Sequence, residues 1–262
     1  MKVGIIGGSD FYHLEGFEHR QSITLSTVYG EPSSAYELYT RGDTDYYFLA
    51  RHGNKHTLAP HNINYRANID GFSKLGVEKI LSFTSVGSIN TSYNIGDFII
   101  TDNAIDFTFS RNSTFFDEEE VYHIDFTYPF CNDLRTRVIE ALRKIDTKCH
   151  IKGTYICTNG PRFETTSEIK MFSLFGADIV GMTLFPECVL AREKQICYAN
   201  VGIVANCAAG ICDKQLTPGD IADVMDMANT KIKDLLHMLS YTGEEKKCNC
   251  RNTLDNAKSS RK

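Results

Sequence analysis

The residues of this chain best suited to chemistry fall in three short segments: Gly160–Thr165 (GPRFET), Gly181–Thr183 (GMT) and Val204–Gly210 (VANCAAG). The first carries a carboxylate, Glu164, on a Gly-Pro turn, and the last carries one amide, Asn206, at the end of an apolar run. A glutamate and an asparagine that converge on one pocket match the polar edge of a 6-oxopurine. The carboxamide donates to O6 and accepts from N7–H, while the carboxylate accepts from N1–H. The competing role for Asn206 is a buried amide that only ties loops together.

Four strand ends offer groups for an anion. Gly4–Asp10 (GIIGGSD) turns sharply after an apolar strand and exposes backbone N–H groups and the Ser9 hydroxyl. It lacks the G-x-G-x-x-G pattern, so a small anion suits it better than a dinucleotide. Ala50–Gly53 (ARHG) places Arg51 beside His52, which together can form charge-assisted bonds to phosphate. Phe83–Ser88 (FTSVGS) offers the Thr84 hydroxyl and the Ser85 amide, and Met182-Thr183 closes a fourth strand. Singly, each is compatible with a solvated rim. Together they occupy the usual location of ligand sites in α/β folds. Nearby His56 and His61 read as loop or structural histidines, and Tyr65 and Asn68 as anchors of a helix start. Glu187 is either a first-turn helix carboxylate or a substrate contact.

The elements that must position these groups alternate in type. Strands are expected at Lys2–Ile6, Asp45–Ala50, Lys79–Phe83, Asp97–Thr101, Lys152–Cys157, Asp178–Gly181 and Cys197–Val204. Helices are expected at Tyr65–Leu75, Asn132–Ile145, Thr166–Phe175, Pro186–Gln195 and Pro218–Leu239. In the second helix Leu134, Val138, Ile139, Leu142 and Ile145 recur at helical spacing, with Arg135, Arg137, Arg143 and Lys144 facing out. Strands alternating with helices predict a covered, largely parallel sheet. With 262 residues, 42% of them hydrophobic, and no internal linker or repeat, one α/β domain over 1–240 is expected, followed by a polar tail over 241–262. Ser110–His123 reads as a long surface loop.

Composition excludes several classes. A formal charge of −5 and a pI near 5.9, with no dense basic patch, argue against nucleic acid. No apolar run approaches the ~20 residues of a membrane helix. MKVGIIGG reads as strand and turn rather than a leader, and a cytoplasmic location is expected. Among nine cysteines, Cys157, Cys188, Cys197 and Cys207 lie in apolar runs and read as small buried hydrophobes. Cys248-Asn249-Cys250 reads either as two exposed thiols on the tail or as a redox-active or structural pair. It is tighter than the usual C-x₂-C zinc knuckle, and no second pair accompanies it.

Taken in order, GIIGG, LARHG with His56, NYRAN at Asn64–Asn68, SVGS, HIDF at His123–Phe126, GPRFET, GMT through Glu187 and VANCAAG resemble the trimeric nucleoside phosphorylases. The resemblance runs from Met1 to about Ser240 and is nearest the methylthioadenosine/methylthioinosine branch. It implies that fold, a central mixed and largely parallel sheet flanked by helices, and a homotrimer or dimer of trimers. It also implies that Ser9, Arg51, His52, Thr84, Ser85 and Thr183 hold a phosphate nucleophile. Met182 would pack beneath the ribose, Phe163 would stack on the base, and Glu164 and Asn206 would bind its edge beside Cys207 and Ala208. His123 would reach into a neighbouring subunit's pocket. Leu216 and Phe163 would line an apolar pocket for a 5′-methylthio group. Two departures stand out: Ser9 replaces a common threonine, and Asn206 and Ala208 stand where adenine-specific members carry aspartates.

That second departure separates substrates. Adenine presents N1 as an acceptor, which sets lone pairs against an ionised Glu164, whereas hypoxanthine presents N1–H and O6. A 6-oxopurine nucleoside is therefore favoured over adenosine derivatives, because a mismatched partner would stay buried and unpaired. The implied reaction is phosphorolysis of the C1′–N9 bond to free base and sugar 1-phosphate, without metal or organic cofactor and with inorganic phosphate as co-substrate. A hydrolytic nucleosidase and a silent nucleoside-binding protein are the competing classes; the anion groups argue against both.

Overall fold

The computed structural model describes residues 1–8, 16–117, 120–213, 217–239 and 248–259, apart from the Pro218 side chain. Eleven strands in chain order form one mixed sheet: β1 (Lys2–Gly7), β2 (Glu18–Ile23), β3 (Tyr36–Arg41), β4 (Thr44–Ala50), β5 (Lys79–Ser88), β6 (Phe98–Ile100), β7 (Asn103–Phe107), β8 (Cys149–His150), β9 (Thr154–Thr158), β10 (Ile179–Gly181) and β11 (Cys197–Cys207). The helices are α1 (Tyr65–Lys74), α2 (Asn132–Lys144), α3 (Thr166–Leu174), α4 (Leu184–Glu193) and α5 (Pro218–Met238). No described helix is long and apolar enough to cross a membrane.

β5 is the spine. β1 runs parallel to its first half, β11 runs parallel along its whole length, and β10 pairs antiparallel with Gly87 and Ser88. β1 and β4 are also parallel, with Gly7 opposite Ala50, so the chain leaves both strands at one edge of the sheet. One face packs on α2 and α5 through residues such as Leu134, Val138, Ile232 and Leu235. The other packs on α1 and α4 through Ile69, Phe72, Leu184 and Leu190. A smaller cluster under α3 holds Ile156, Ile169 and Phe172. The sheet is thus covered on both faces, as near-continuous apolar strands require.

Helix starts follow local chemistry. Asn64 caps α1 through Ala67 N, and Thr165 with Glu168 forms a capping box on α3. Thr217 caps α5 through Asp220 N. In α4 Phe185 leaves helical geometry before Pro186, so the continuous helix begins where the sequence places it.

Several elements differ from the sequence-based expectation. β2 (EHRQSI) is almost wholly exposed and carries no apolar alternation; it exists because it pairs with β3 at the sheet edge. β7 likewise depends on its partner β9. The loop after Ser110 is anchored at its start, where Arg111 donates to the carbonyls of Asn159, Met182 and Phe185. The described C-terminal segment, residues 248–259, is docked on the fold. Cys250 is 3% exposed inside the apolar cluster, and Tyr122 bridges Lys258. The reading of Cys248 and Cys250 as exposed thiols is therefore corrected: apolar neighbours and the guanidinium of Arg192, which donates to Cys250 Sγ, hold them in place. Cys207 is no simple buried hydrophobe either, because it is disulfide-bonded to Cys212.

Gly71 tests the packing of α1. A Cβ there would meet the Tyr36 hydroxyl oxygen at 2.2 Å, and that buried hydroxyl donates to Asn68 O at 2.7 Å. Gly71→Ala is expected to destabilise the protein by ~1–3 kcal/mol through overpacking. Helix propensity alone gives the opposite sign, since alanine is favoured over glycine in a helix by about 1 kcal/mol. The denaturant midpoint distinguishes them.

Candidate active site

A cavity of about 780 Å³ opens at the edge where β1, β4, β10 and β11 end. Its walls combine Gly8, Arg51-His52, Met182-Thr183 and Asn206 from four strand ends or following turns, Thr84-Ser85 from within β5, which runs on to Ser88 past the expected end at Phe83, and Phe163 and Glu164 from the loop after β9. Parallel pairing explains the convergence: Arg51 N donates to Gly7 O at 3.0 Å, which sets the turn after β1 beside the turn after β4.

Arg51 is the most constrained group. It is 2% exposed; Nε donates to Glu187 Oε2 at 2.7 Å and Nη2 to Glu187 Oε1 at 2.9 Å. Nη2 also donates to Ser82 Oγ, and Nη1 to Phe83 O at 3.0 Å. Four of the five N–H groups are thus engaged, leaving one on Nη1 for a ligand. Glu187, fully buried, also accepts from Ser82 Oγ and Tyr198 OH. Burial opposes the charge on Arg51, but Glu187's charge and hydrogen bonds outweigh it and raise the guanidinium pKa further. Of the two roles open to Glu187 in the sequence, the first-turn helix carboxylate holds, and the structure adds a third: it is the counter-ion of Arg51.

His52 is neutral. Burial, with the nearby Arg51 and His56, lowers its pKa to about 4 against the opposing pull of a bond to Leu58 O. That 2.8 Å bond to a carbonyl makes Nδ1 the donor and leaves Nε2 as an acceptor. His52 can therefore accept from a hydroxyl or a protonated phosphate oxygen, but it adds no positive charge at neutral pH. His56, expected to serve only as a loop residue, stacks on His52 at 4.5 Å and lines the cavity; His61 does not line it. Thr84 Oγ1 accepts from Asn200 Nδ2 at 3.1 Å, and Ser85 is exposed to the cavity. Thr183, at the N-cap of α4, spends no side-chain bond on the helix. This end of the cavity thus offers one matched cation plus the hydroxyls of Thr84, Ser85 and Thr183.

At the other end, burial raises the Glu164 pKa, partly countered by Thr158 Oγ1, which donates to Oε1 at 2.7 Å. Asn206 Nδ2 donates to Cys207 O at 2.7 Å, which leaves its second N–H and Oδ1 available. The β5–β11 register slips between Val204 and Asn206, so Asn206 rather than Ala205 stands opposite Gly87. A Cβ on Gly87 would lie 3.1 Å from Asn206 Nδ2, so a side chain there would crowd the carboxamide by a few tenths of an ångström.

The structure thus gathers Arg51, His52, Thr84, Ser85, Phe163, Glu164, Met182, Thr183, Asn206 and Ala208 around one cavity. It does not bring Cys207 into the wall, because its sulfur is committed to Cys212. His123 is exposed and outside this cavity, and Ser9 and Leu216 lie outside the described residues. The sequence reading missed the wall formed by α5, from Ile221, Ala222, Met225 and Asn229. Its signal was present: Ile221, Met225 and Asn229 recur every four residues on one helical face, with a polar group in an apolar stripe.

The phosphorylase superfamily model matches residues 2–239. The chain is 45% identical to a probable S-methyl-5′-thioinosine phosphorylase of Thermodesulfovibrio yellowstonii, over 98% of this chain and 97% of that one. It is 43% identical to a 6-oxopurine nucleoside phosphorylase of Pyrococcus furiosus, over 98% of both. A crystal structure of a methylthioadenosine phosphorylase from an antarctic soil metagenomic library superposes with a TM-score of 0.90 at 33% identity, covering 98% of this chain and 92% of that one. The chain belongs to the phosphorylase superfamily and, within it, to the purine nucleoside phosphorylases.

Proposed function

We propose that this purine nucleoside phosphorylase acts on 6-oxopurine nucleosides, with 5′-methylthioinosine as the favoured substrate. One observation carries the reading: Glu164 and Asn206 line the same cavity, and Ala208 rather than a carboxylate lies beside them. Ionised Glu164 would accept from N1–H, Asn206 Nδ2 would donate to O6, and Oδ1 would accept from N7–H. The apolar Ile221, Ala222 and Met225 support a 5′-methylthio group over a hydroxyl.

In this reading phosphate, held by Arg51, Thr84, Ser85 and Thr183, approaches C1′ opposite the base. The C1′–N9 bond lengthens, positive charge builds on the sugar, and its electron pair passes to the purine. A phosphate oxygen bonds C1′ as the base leaves protonated at N7; overall the base gains the proton that hydrogen phosphate loses on becoming the sugar ester, and Asn206 stabilises the N7–H form. The catalytic gain comes from positioning and preset dipoles. A second reading, methylthioadenosine cleavage, has its own support: the raised Glu164 pKa favours a protonated carboxyl, which can donate to adenine N1.

Base release from methylthioinosine is expected to require phosphate and to yield a sugar 1-phosphate. Thr183→Val should raise the phosphate KM by ~5–10-fold with little change in nucleoside KM, the size of one hydrogen bond. Equal base release without phosphate would reject phosphorolysis and support a nucleosidase.

The pH dependence of base choice tests the edge reading. Because burial raises the Glu164 pKa, the group takes up its proton at higher pH than an ordinary glutamate. The kcat/KM ratio of methylthioinosine to methylthioadenosine should therefore be largest near about pH 8 and shrink toward about pH 5. Asn206→Asp should shrink it at fixed pH, since a carboxylate cannot donate to O6. A wild-type ratio below one at neutral pH would favour the adenine reading.

We further propose that a trimer, or a dimer of trimers, completes the site. Support comes from the exposed His123 and from Phe109, Val121 and Tyr128, large apolar side chains exposed around the same segment. Light scattering is expected to give a multiple of three, with His123→Ala lowering activity but not mass; a fully active monomer would refute this.

A further inference from the structure

Four cysteines from distant parts of the chain meet at the far end of β11. Cys131 is the N-cap of α2, Cys197 opens β11, and Cys248 and Cys250 come from the docked C-terminal segment. Their Sγ atoms all lie within 4.8 Å of one another, with Cys197 and Cys248 at 3.3 Å. Asn206 stands nine strand residues further along β11, ~30 Å away at the usual rise, so this cluster is separate from the cavity. We propose that Cys131, Cys197, Cys248 and Cys250 bind one zinc ion as a closed tetrathiolate that fastens the C-terminal segment to the fold.

The donor set and its spacing support this. A tetrahedral zinc with Zn–S bonds of ~2.3 Å sets its sulfurs ~3.8 Å apart, so the four need only small adjustments. Four thiolates select a soft cation and exclude magnesium or calcium. All four are free thiols here, whereas Cys207 and Cys212 are paired. Four thiolates around zinc leave two net negative charges, and the surroundings compensate them. Leu134 N, at the positive end of α2, donates to Cys131 Sγ at 3.5 Å, and Arg192 Nη1 donates to Cys250 Sγ at 3.3 Å. Cys131, Cys197 and Cys250 are at most 5% exposed within the apolar cluster. With four protein ligands and no open position, such a site is structural rather than catalytic.

The site also accounts for the docking of a polar segment. Beyond Cys250, His123 N donates to Ala257 O and Ser259 N to Val121 O. A metal at Cys248 and Cys250 would hold this segment against residues 121–123.

The test uses the full-length protein purified under reducing conditions without chelator. Elemental analysis should find about one zinc per chain, and exchange with cobalt should give the strong visible bands of a tetrahedral cobalt thiolate. Cys248→Ser with Cys250→Ser should lower zinc below about one-tenth per chain and lower Tm. Cys149→Ser, a cysteine outside the cluster, should leave both unchanged. If the double variant does not fold, the wild-type zinc content and cobalt spectrum still decide. Zinc at background overturns the proposal, as does peptide mapping that finds Cys131 or Cys197 disulfide-bonded to Cys248 or Cys250.

Discussion

The buried ion pair between Arg51 and Glu187 is the constraint around which one end of the cavity is built. It joins the end of β4 to the first turn of α4, and through Ser82, Phe83 and Tyr198 it fastens both to β5 and β11. Removing one partner of such a pair typically costs about 3–5 kcal/mol, because the other charge stays buried and unmatched. The pair therefore fixes the relative position of four elements before any ligand enters. It also neutralises the cation that the Arg-His sequence promises, and His52 adds no charge because burial keeps it neutral. An anion arriving here meets oriented N–H and O–H dipoles more than net charge, which is the arrangement expected of a preorganised site.

The end of the cavity lined by Glu164 and Asn206 is held by different means. Arg111 reaches in from the loop after β7 and gathers the carbonyls of Asn159 and Met182, which fixes the segment leading to Glu164 relative to the end of β10. The irregularity in β11 brings Asn206 opposite Gly87, and the missing side chain of Gly87 leaves room for the carboxamide. The Cys207–Cys212 disulfide ties down the chain immediately after it. Glu164 and Asn206 face one cavity because three separate supports converge on two short loops. Moving either group by an ångström would change the hydrogen-bond geometry that this end of the cavity offers a ligand.

Much of this was legible in the sequence where a local rule applied. Core strands β1, β4, β5 and β11 announce themselves as apolar runs, and α2 by its period. Motif residues at strand ends, such as Arg51, Thr183 and Asn206, could be named because parallel strands present their ends at one edge. Nothing local marks β2, whose exposed polar residues pair only because β3 is there, nor the α5 wall, whose face is chosen by packing.

The amino-acid sequence by itself determined the strand–helix alternation, the single covered sheet, and most of the groups that line the cavity, because periodicity, capping and strand-end polarity act over a few neighbouring residues. Only the tertiary structure decided which groups are neutralised or joined across long separations. Arg51 and Glu187 are 136 residues apart, and Cys131 and Cys250 are 119 residues apart. Charge, burial and metal-binding capacity are properties of such neighbourhoods. They come into being when the sheet closes under its helices, and no stretch of sequence contains them.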